Sequence, residues 1–140
     1  MKKIVFTNGC FDMLHEGHKY LLKKSKGFGD VLIVGLNSDA SVRRLKGKAR
    51  PVEDQETRVK KLLNLEFVDK VFIFHENTPI NLINSIKPDI IVKGGDYKTE
   101  DIIGSKEVLS RGGQVKTVPL VEGISTTKIL ANSKDNILPE

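Results

Sequence analysis

A chain of 140 residues has room for one domain rather than two, and at 39% hydrophobic and 29% charged it reads as an ordinary globule. Its single cysteine, Cys10, excludes an internal disulfide, and no apolar run approaches the ~18 residues of a membrane span. The formal charge of +5 is lopsided, with 15 basic and 9 acidic side chains in residues 1–70 against 8 and 9 in residues 71–140, so the first half suits a polyanionic partner.

The frame is therefore one domain over residues 1–140, with a poorly ordered tail at 132–140, in the reducing cytoplasm. Compact β-branched or aromatic runs at 2–7, 31–36, 71–74, 90–93 and 115–118 predict buried strands. Between and after them, helical spacing is predicted over 19–26, 40–45, 53–65, 79–86, 105–111 and 126–131. In the third of these helices, Leu62, Leu63 and Leu65 form an apolar stripe, with Arg58, Lys60 and Lys61 largely on the other side. Strand and helix in repeated alternation predict an α/β fold: a Rossmann-like, doubly wound parallel five-stranded sheet with helices on both faces.

Such sheets bind ligands at the carboxyl ends of their strands, where strand order reverses. The loop after the first strand is the most unusual stretch of the chain, running from Thr7 and Asn8 through Gly9-Cys10-Phe11-Asp12 to His15-Glu16-Gly17-His18. It carries neither the glycine pattern of dinucleotide folds nor a P-loop, which argues against a hydride-transfer enzyme or a P-loop kinase. Two of the three histidines of the chain fall here, at the start of a predicted helix. Three readings are open for the pair. As a metal clamp it is one residue short of the H-E-x-x-H spacing; as surface residues the two are neighbours by accident; as phosphate ligands they join the free N–H groups and dipole of a helix start.

Gly9-Cys10-Phe11-Asp12 followed by His15-x-Gly17-His18 resembles the signature of the H-x-G-H nucleotidyltransferase superfamily, which includes cytidylyltransferases, phosphopantetheine adenylyltransferase and class I aminoacyl-tRNA synthetases. Asn37 to Gly47, Arg50-Pro51, Lys87-Pro88-Asp89, Lys93-Gly94-Gly95-Asp96-Tyr97, Gly112-Gly113 and Gly123-Ile124-Ser125-Thr126-Thr127 resemble one branch of it. That branch is the D-glycero-β-D-manno-heptose 1-phosphate adenylyltransferases, found alone or as the carboxyl-terminal domain of a bifunctional kinase and adenylyltransferase. The match covers nearly all of the chain up to Ala131.

The resemblance implies transfer of AMP from ATP to a sugar 1-phosphate by direct in-line attack, with release of pyrophosphate. It implies that His15, His18 and Lys46 are catalytic. Gly9, Cys10, Phe11, Gly17, His18, Ser125, Thr126 and Thr127 would bind the nucleotide. Asp12, Lys46, Arg50, Arg58, Lys93 and Asp96 would bind the second substrate. Magnesium would arrive with ATP without a direct protein ligand. The family also implies a homodimer, with no nucleic-acid or membrane partner.

Several of these residues have plainer readings beside the functional one. The basic run from Arg43 to Arg50 serves as a solvated face, Ser125 to Thr127 as a helix cap, and Asp96 as a turn former after two glycines. Cys10 invites a nucleophile reading, but direct phosphate attack needs no thiolate, so a small residue packed under the nucleotide is expected. His75 is expected to be a strand-end residue. Glycerol-3-phosphate cytidylyltransferases resemble the chain at both ends but carry Arg-Thr where Leu120-Val121 stand here, which argues against that activity. A cytidylyltransferase for a small phospho-alcohol remains the competing enzyme. A non-catalytic nucleotide- or RNA-binding domain is the alternative of another class, set against only 8 aromatic residues and no stacking ladder.

Overall fold

The computed structural model describes residues 2–119. The strands are β1 (Ile4–Gly9), β2 (Val31–Asn37), β3 (Lys70–Phe74), β4 (Ile90–Gly94) and β5 (Gln114–Val118). The helices are α1 (Glu16–Lys26), α2 (Asp39–Lys46), α3 (Gln55–Leu63), α4 (Ile80–Ile86) and α5 (Ser105–Ser110), with a short 3-10 turn at Thr99–Asp101. The helix predicted over 126–131 and the tail at 132–140 lie outside the described residues.

All five strands are parallel and pair in the order β3-β2-β1-β4-β5. This is the doubly wound sheet that the sequence pattern predicts, and its switch point falls between β1 and β4. Alternation along each strand sends side chains to opposite faces. Val5, Leu32, Val34 and Val92 pack on one face with Leu22 of α1 and Leu62 of α3. Phe6, Ile33 and Ile91 pack on the other with Ile83 of α4 and Val108 of α5. Gly35 of β2 is needed at the second face, because a Cβ there would come within 2.7 Å of the Phe6 ring.

The strand pairing itself opens the switch point. β1 pairs with β2 over six residues, from Ile4↔Val31 to Gly9↔Leu36, but with β4 only at Val5↔Ile90 and Phe6↔Ile91. One further bond holds the two strands beyond that point, from the buried Thr7 hydroxyl to the Val92 carbonyl at 2.9 Å. Past it, Asn8 and Gly9 of β1 face Lys93 and Gly94 of β4 across a cleft.

Candidate active site

The β1–α1 loop is held in an uncommon shape. Phe11 and Met13 have φ of 45° and 55°, a left-handed region that non-glycine residues occupy only when their surroundings impose it. The surroundings here are the segment leading into α3. The Asp12 carboxylate accepts the N–H groups of Val52 and Glu53 at 2.8 and 3.0 Å, and Arg50 approaches it at 3.4 Å. In return, Glu53 accepts the Met13 N–H at 3.1 Å and pairs with Lys61. Burial pushes the Asp12 carboxyl up, yet the Val52, Glu53 and Arg50 donors together hold it below its ordinary value, so it stays ionised.

Arg58 of α3 completes the clamp from within. Its side chain is fully buried and donates to the carbonyls of Glu53 (3.0 Å), Cys10 (2.9 Å) and Asn37 (2.8 Å) and to the Asp39 carboxylate (2.7 Å). One guanidinium thus ties the ends of β1 and β2 and the starts of α2 and α3 together. Without it the buried Asn37 carbonyl and the three part-buried acceptors would lose a charged donor. This corrects the expectation that Arg58 binds substrate: a side chain with no exposed surface and these four partners positions the loops instead.

His15 is the N-cap residue of α1, with φ −131° and ψ −177°, and His18 is the third residue of the helix. The Nδ1 of His15 accepts the Gly17 N–H at 3.0 Å, and the Nδ1 of His18 accepts the His15 N–H at 3.2 Å. Two imidazoles therefore form the reciprocal capping box that Ser or Thr and Glu or Gln usually build. The arrangement fixes the chemistry of both rings. A nitrogen that accepts a hydrogen bond carries no proton, so each neutral ring bears its proton on Nε2 and is a donor there.

The rings stack with centroids 3.8 Å apart at 26°, and the buried Phe11 packs edge-on against His18 at 5.3 Å. Burial, with the nearby His15 and Lys46 charges, pushes His18 down to about 4. Burial also lowers His15, against the opposing pull of Glu16. At neutral pH both are uncharged donors at the amino end of a helix, where the free N–H groups favour an anion.

The cleft at this point encloses about 420 Å³, within the ~300–1,000 Å³ range of small-molecule sites. His15, His18 and Leu21 of α1 line it together with Gly9, Cys10, Phe11 and Asp12 of the first loop. Lys46 at the end of α2, Arg50 and Lys93 bring three positive charges to the same space. Lys46 makes no ion pair among the described residues, and its field reaches both His18 and Cys10. A Cβ at position 9 would come within 3.1 Å of the Phe11 ring, so glycine there lets Phe11 fold back under the strand end and support His18.

The sites expected from the sequence separate under this geometry. Gly9, Cys10, His15, His18, Lys46, Arg50 and Lys93 meet at one cleft. Gly17 contributes its N–H to the His15 cap. Asp12 lines the cleft, but its carboxylate tethers residues 50–53. Phe11 is only 5% exposed and acts chiefly as packing. Asp96 is exposed on the loop after β4 and does not line this cleft, while Gly95 before it has φ 112°, which favours the turn reading. Ser125, Thr126 and Thr127 lie outside the described residues. Burial pushes the Cys10 thiol up despite the lowering effect of Lys46 and Arg58, so it is protonated and a poor nucleophile at neutral pH.

Sequence reasoning missed Asn8, which lines the cleft from the end of β1, and Glu53, which holds Met13. Asn8 stood in the quoted motif and was legible from its place beside Gly9; nothing local marked Glu53. Among the described residues, no three His, Cys, Asp or Glu side chains gather as a metal cage. With both Asp12 oxygens engaged by backbone N–H groups, the donor set does not fit a protein-held magnesium ion.

A five-stranded parallel sheet with an imidazole-capped helix start at its switch point makes an α/β domain with an anion-binding cleft at the carboxyl ends of its strands. Residues 6–132 match the family described as cytidylyltransferase-like, and the chain belongs to that family. The protein called bifunctional protein HldE of Geobacter metallireducens is 56% identical over 129 residues, covering 92% of this chain and 26% of its own length. The HldE of Campylobacter concisus is 54% identical over 134 residues, covering 96% and 28%. This chain thus spans about a quarter of the length of the curated relatives it matches. Among solved structures, the lipopolysaccharide core biosynthesis protein of Thermoplasma volcanium is 34% identical with a TM-score of 0.69, the alignment covering 86% of this chain and 97% of that one. A pantoate-β-alanine ligase of Francisella tularensis, at 19% identity and TM-score 0.60, shares the fold.

Proposed function

We propose that this chain is an adenylyltransferase domain that transfers AMP from ATP to a sugar 1-phosphate, D-glycero-β-D-manno-heptose 1-phosphate, giving ADP-heptose and pyrophosphate. The observation that carries it is the pair of neutral Nε2–H donors at the start of α1, set in a cleft with Lys46, Arg50 and Lys93. Kinship with the HldE proteins and with a lipopolysaccharide core biosynthesis protein supports a sugar product, and the branch resemblance of the Lys93 to Tyr97 segment supports heptose and ATP.

The reaction needs two anions brought into line and no covalent intermediate. An oxygen of the sugar phosphate forms a bond to the α-phosphorus while the bond from that phosphorus to the bridging oxygen breaks, and the electron pair leaves on pyrophosphate. His15 and His18 donate from Nε2 to phosphoryl oxygens as charge redistributes, and being neutral they need not give up a proton. Lys46 neutralises the nucleotide phosphates and, with Arg50 and Lys93, the acceptor phosphate. Magnesium enters on the triphosphate. We place the enzyme in the cytoplasm as a homodimer, its partners being ATP and the sugar phosphate.

The test is pyrophosphate release with each nucleoside triphosphate against a panel of sugar 1-phosphates and glycerol 3-phosphate. Turnover with ATP and heptose 1-phosphate is expected. Turnover only with CTP and a phospho-alcohol would make it a cytidylyltransferase, and no turnover with ATP and any heptose or hexose 1-phosphate would refute the proposal.

A further inference from the structure

The amino ends of the strands enclose a hollow of their own, at the sheet edge opposite the histidine cleft. It holds about 130 Å³ and is lined by Lys3 before β1, by Lys87 and Asp89 before β4, and by Arg111 and Gln114 where β5 begins. Strands of five or six residues put it about 15–20 Å from the cleft, and the two spaces share no lining residue. Backbone bonds lock its walls. Ile4 donates its N–H to the Asp89 carboxylate at 2.8 Å and accepts the Asp89 N–H at 2.9 Å, while the Asp89 carbonyl accepts the Gln114 N–H at 2.9 Å. Lys87 sits in the left-handed region, at φ 53° and ψ 60°, and Gly113 packs so closely that a Cβ there would meet the Asp89 carbonyl oxygen at 2.5 Å.

Charge in this hollow is unbalanced. Lys3, Lys87 and Arg111 bring three cations to it, and none of them makes an ion pair among the described residues. The one carboxylate of the wall, Asp89, spends an oxygen on the Ile4 N–H. Arg111 has a single long contact, 3.4 Å to the Pro88 carbonyl, which leaves most of its donors for another acceptor. Three like charges held around one fixed space repel, and an anion between them turns that repulsion into attraction. The volume limits the size of that anion: it lies well below the ~300 Å³ at which sites for drug-sized ligands begin, so a tetrahedral oxyanion with its nearest waters fits and a nucleotide does not.

We propose that this hollow is a binding site for a free phosphate dianion, separate from the site of transfer. Arg111 presents parallel N–H groups to two of its oxygens, and Lys3 and Lys87 neutralise the remaining charge as point cations. The second Asp89 oxygen accepts the hydroxyl of hydrogen phosphate, a proton that sulfate lacks. A phosphate held there bridges the segments that lead into β1, β4 and β5, so it stabilises the folded chain by mass action. The site stands whichever nucleotide and acceptor the histidine cleft takes.

An amide NMR titration of the full chain with inorganic phosphate tests it, at about 150 mM sodium chloride so that loosely attracted ions are screened. The Gly112, Gly113 and Gln114 amides should shift together and saturate in the millimolar range, on a curve distinct from that of Gly9 and Gly17, which report on the histidine cleft. Lys87→Gln and Arg111→Gln change exposed positions, and unshifted amides elsewhere check their fold. Each should weaken the first curve about tenfold or more and leave the second unchanged. Shifts at Gly112 to Gln114 that stay linear in the wild type up to about 20 mM phosphate, or a curve that both variants leave unchanged, would overturn the site. Sulfate that saturates these amides as tightly as phosphate does would overturn the part given to Asp89 and with it the phosphate assignment.

Discussion

His15 and His18 use their two ring nitrogens for different purposes. Nδ1 of each caps α1, and Nε2 of each is left to donate into the cleft. The two functions separate by mutation. His15→Ser and His18→Gln preserve cap acceptors and should leave the thermal midpoint nearly unchanged, yet lower kcat by about 10²-fold or more. His15→Ala should in addition lose about 1 kcal/mol of stability, read by denaturant unfolding. Near-normal turnover in the Ser and Gln variants would return the pair to a purely structural role.

The sign of the pH effect follows from the same nitrogens. His18 titrates near 4 in the folded chain against about 6.5 when unfolded, so between these values the unfolded state binds the extra proton. The stability associated with the neutral ring is fully present above about pH 6.5 and is lost as pH falls toward about 4, where protonation of Nδ1 breaks the His15 N–H bond. The melting temperature of wild type should therefore fall more steeply over that window than that of His18→Gln. Equal slopes would contradict the assigned tautomer. Cys10→Thr should retain activity, since a protonated thiol takes no part in the transfer; a folded but inactive Cys10→Thr chain would reopen the nucleophile reading.

Among the elements, the strands were legible because each is a compact β-branched or aromatic run, and the observed bounds fall within two residues of the predicted ones, although β3 and β5, at the sheet edges, are only partly buried rather than buried as expected. The helix starts were less so. Helix α1 was expected from residue 19 but begins at Glu16, because the histidines themselves form its cap, a use of imidazole that capping rules do not flag. Helix α3 occupies Gln55–Leu63 rather than 53–65, since Asp54 caps it and Glu53 is needed at the β1–α1 loop. Arg58 was the least legible residue. Read by its charge alone it is a polar-face cation, yet it stands one turn before Leu62 on the buried face of α3, where four loops converge on it as a tether. Arg58→Met should cost about 3 kcal/mol in unfolding experiments, because the Asp39 carboxylate and three carbonyls lose their donor. A loss under about 1 kcal/mol would show that the loops hold without it.

For the molecule as a whole, the lopsided charge of the sequence now has a location. The excess of the first half supplies Lys46 and Arg50 to the cleft, and the second half adds Lys93 from the other side of the switch point. No helix among the described residues is long and apolar enough to cross a membrane. If these cations gather two polyanions, raising ionic strength from about 20 to about 200 mM should raise KM for both substrates more than it changes kcat. Ser125 to Thr127, which the family resemblance assigns to the nucleotide, and the neighbouring Leu120-Val121 lie outside the described residues.

The most direct measurement follows an isotope through one turnover. With ATP and a heptose 1-phosphate labelled with heavy oxygen in its phosphate, the product should be ADP-heptose carrying all of the label, bridging oxygen included, and the pyrophosphate should carry none. Label in pyrophosphate, or the absence of any nucleotide sugar, would contradict adenylyl transfer by direct attack at this cleft.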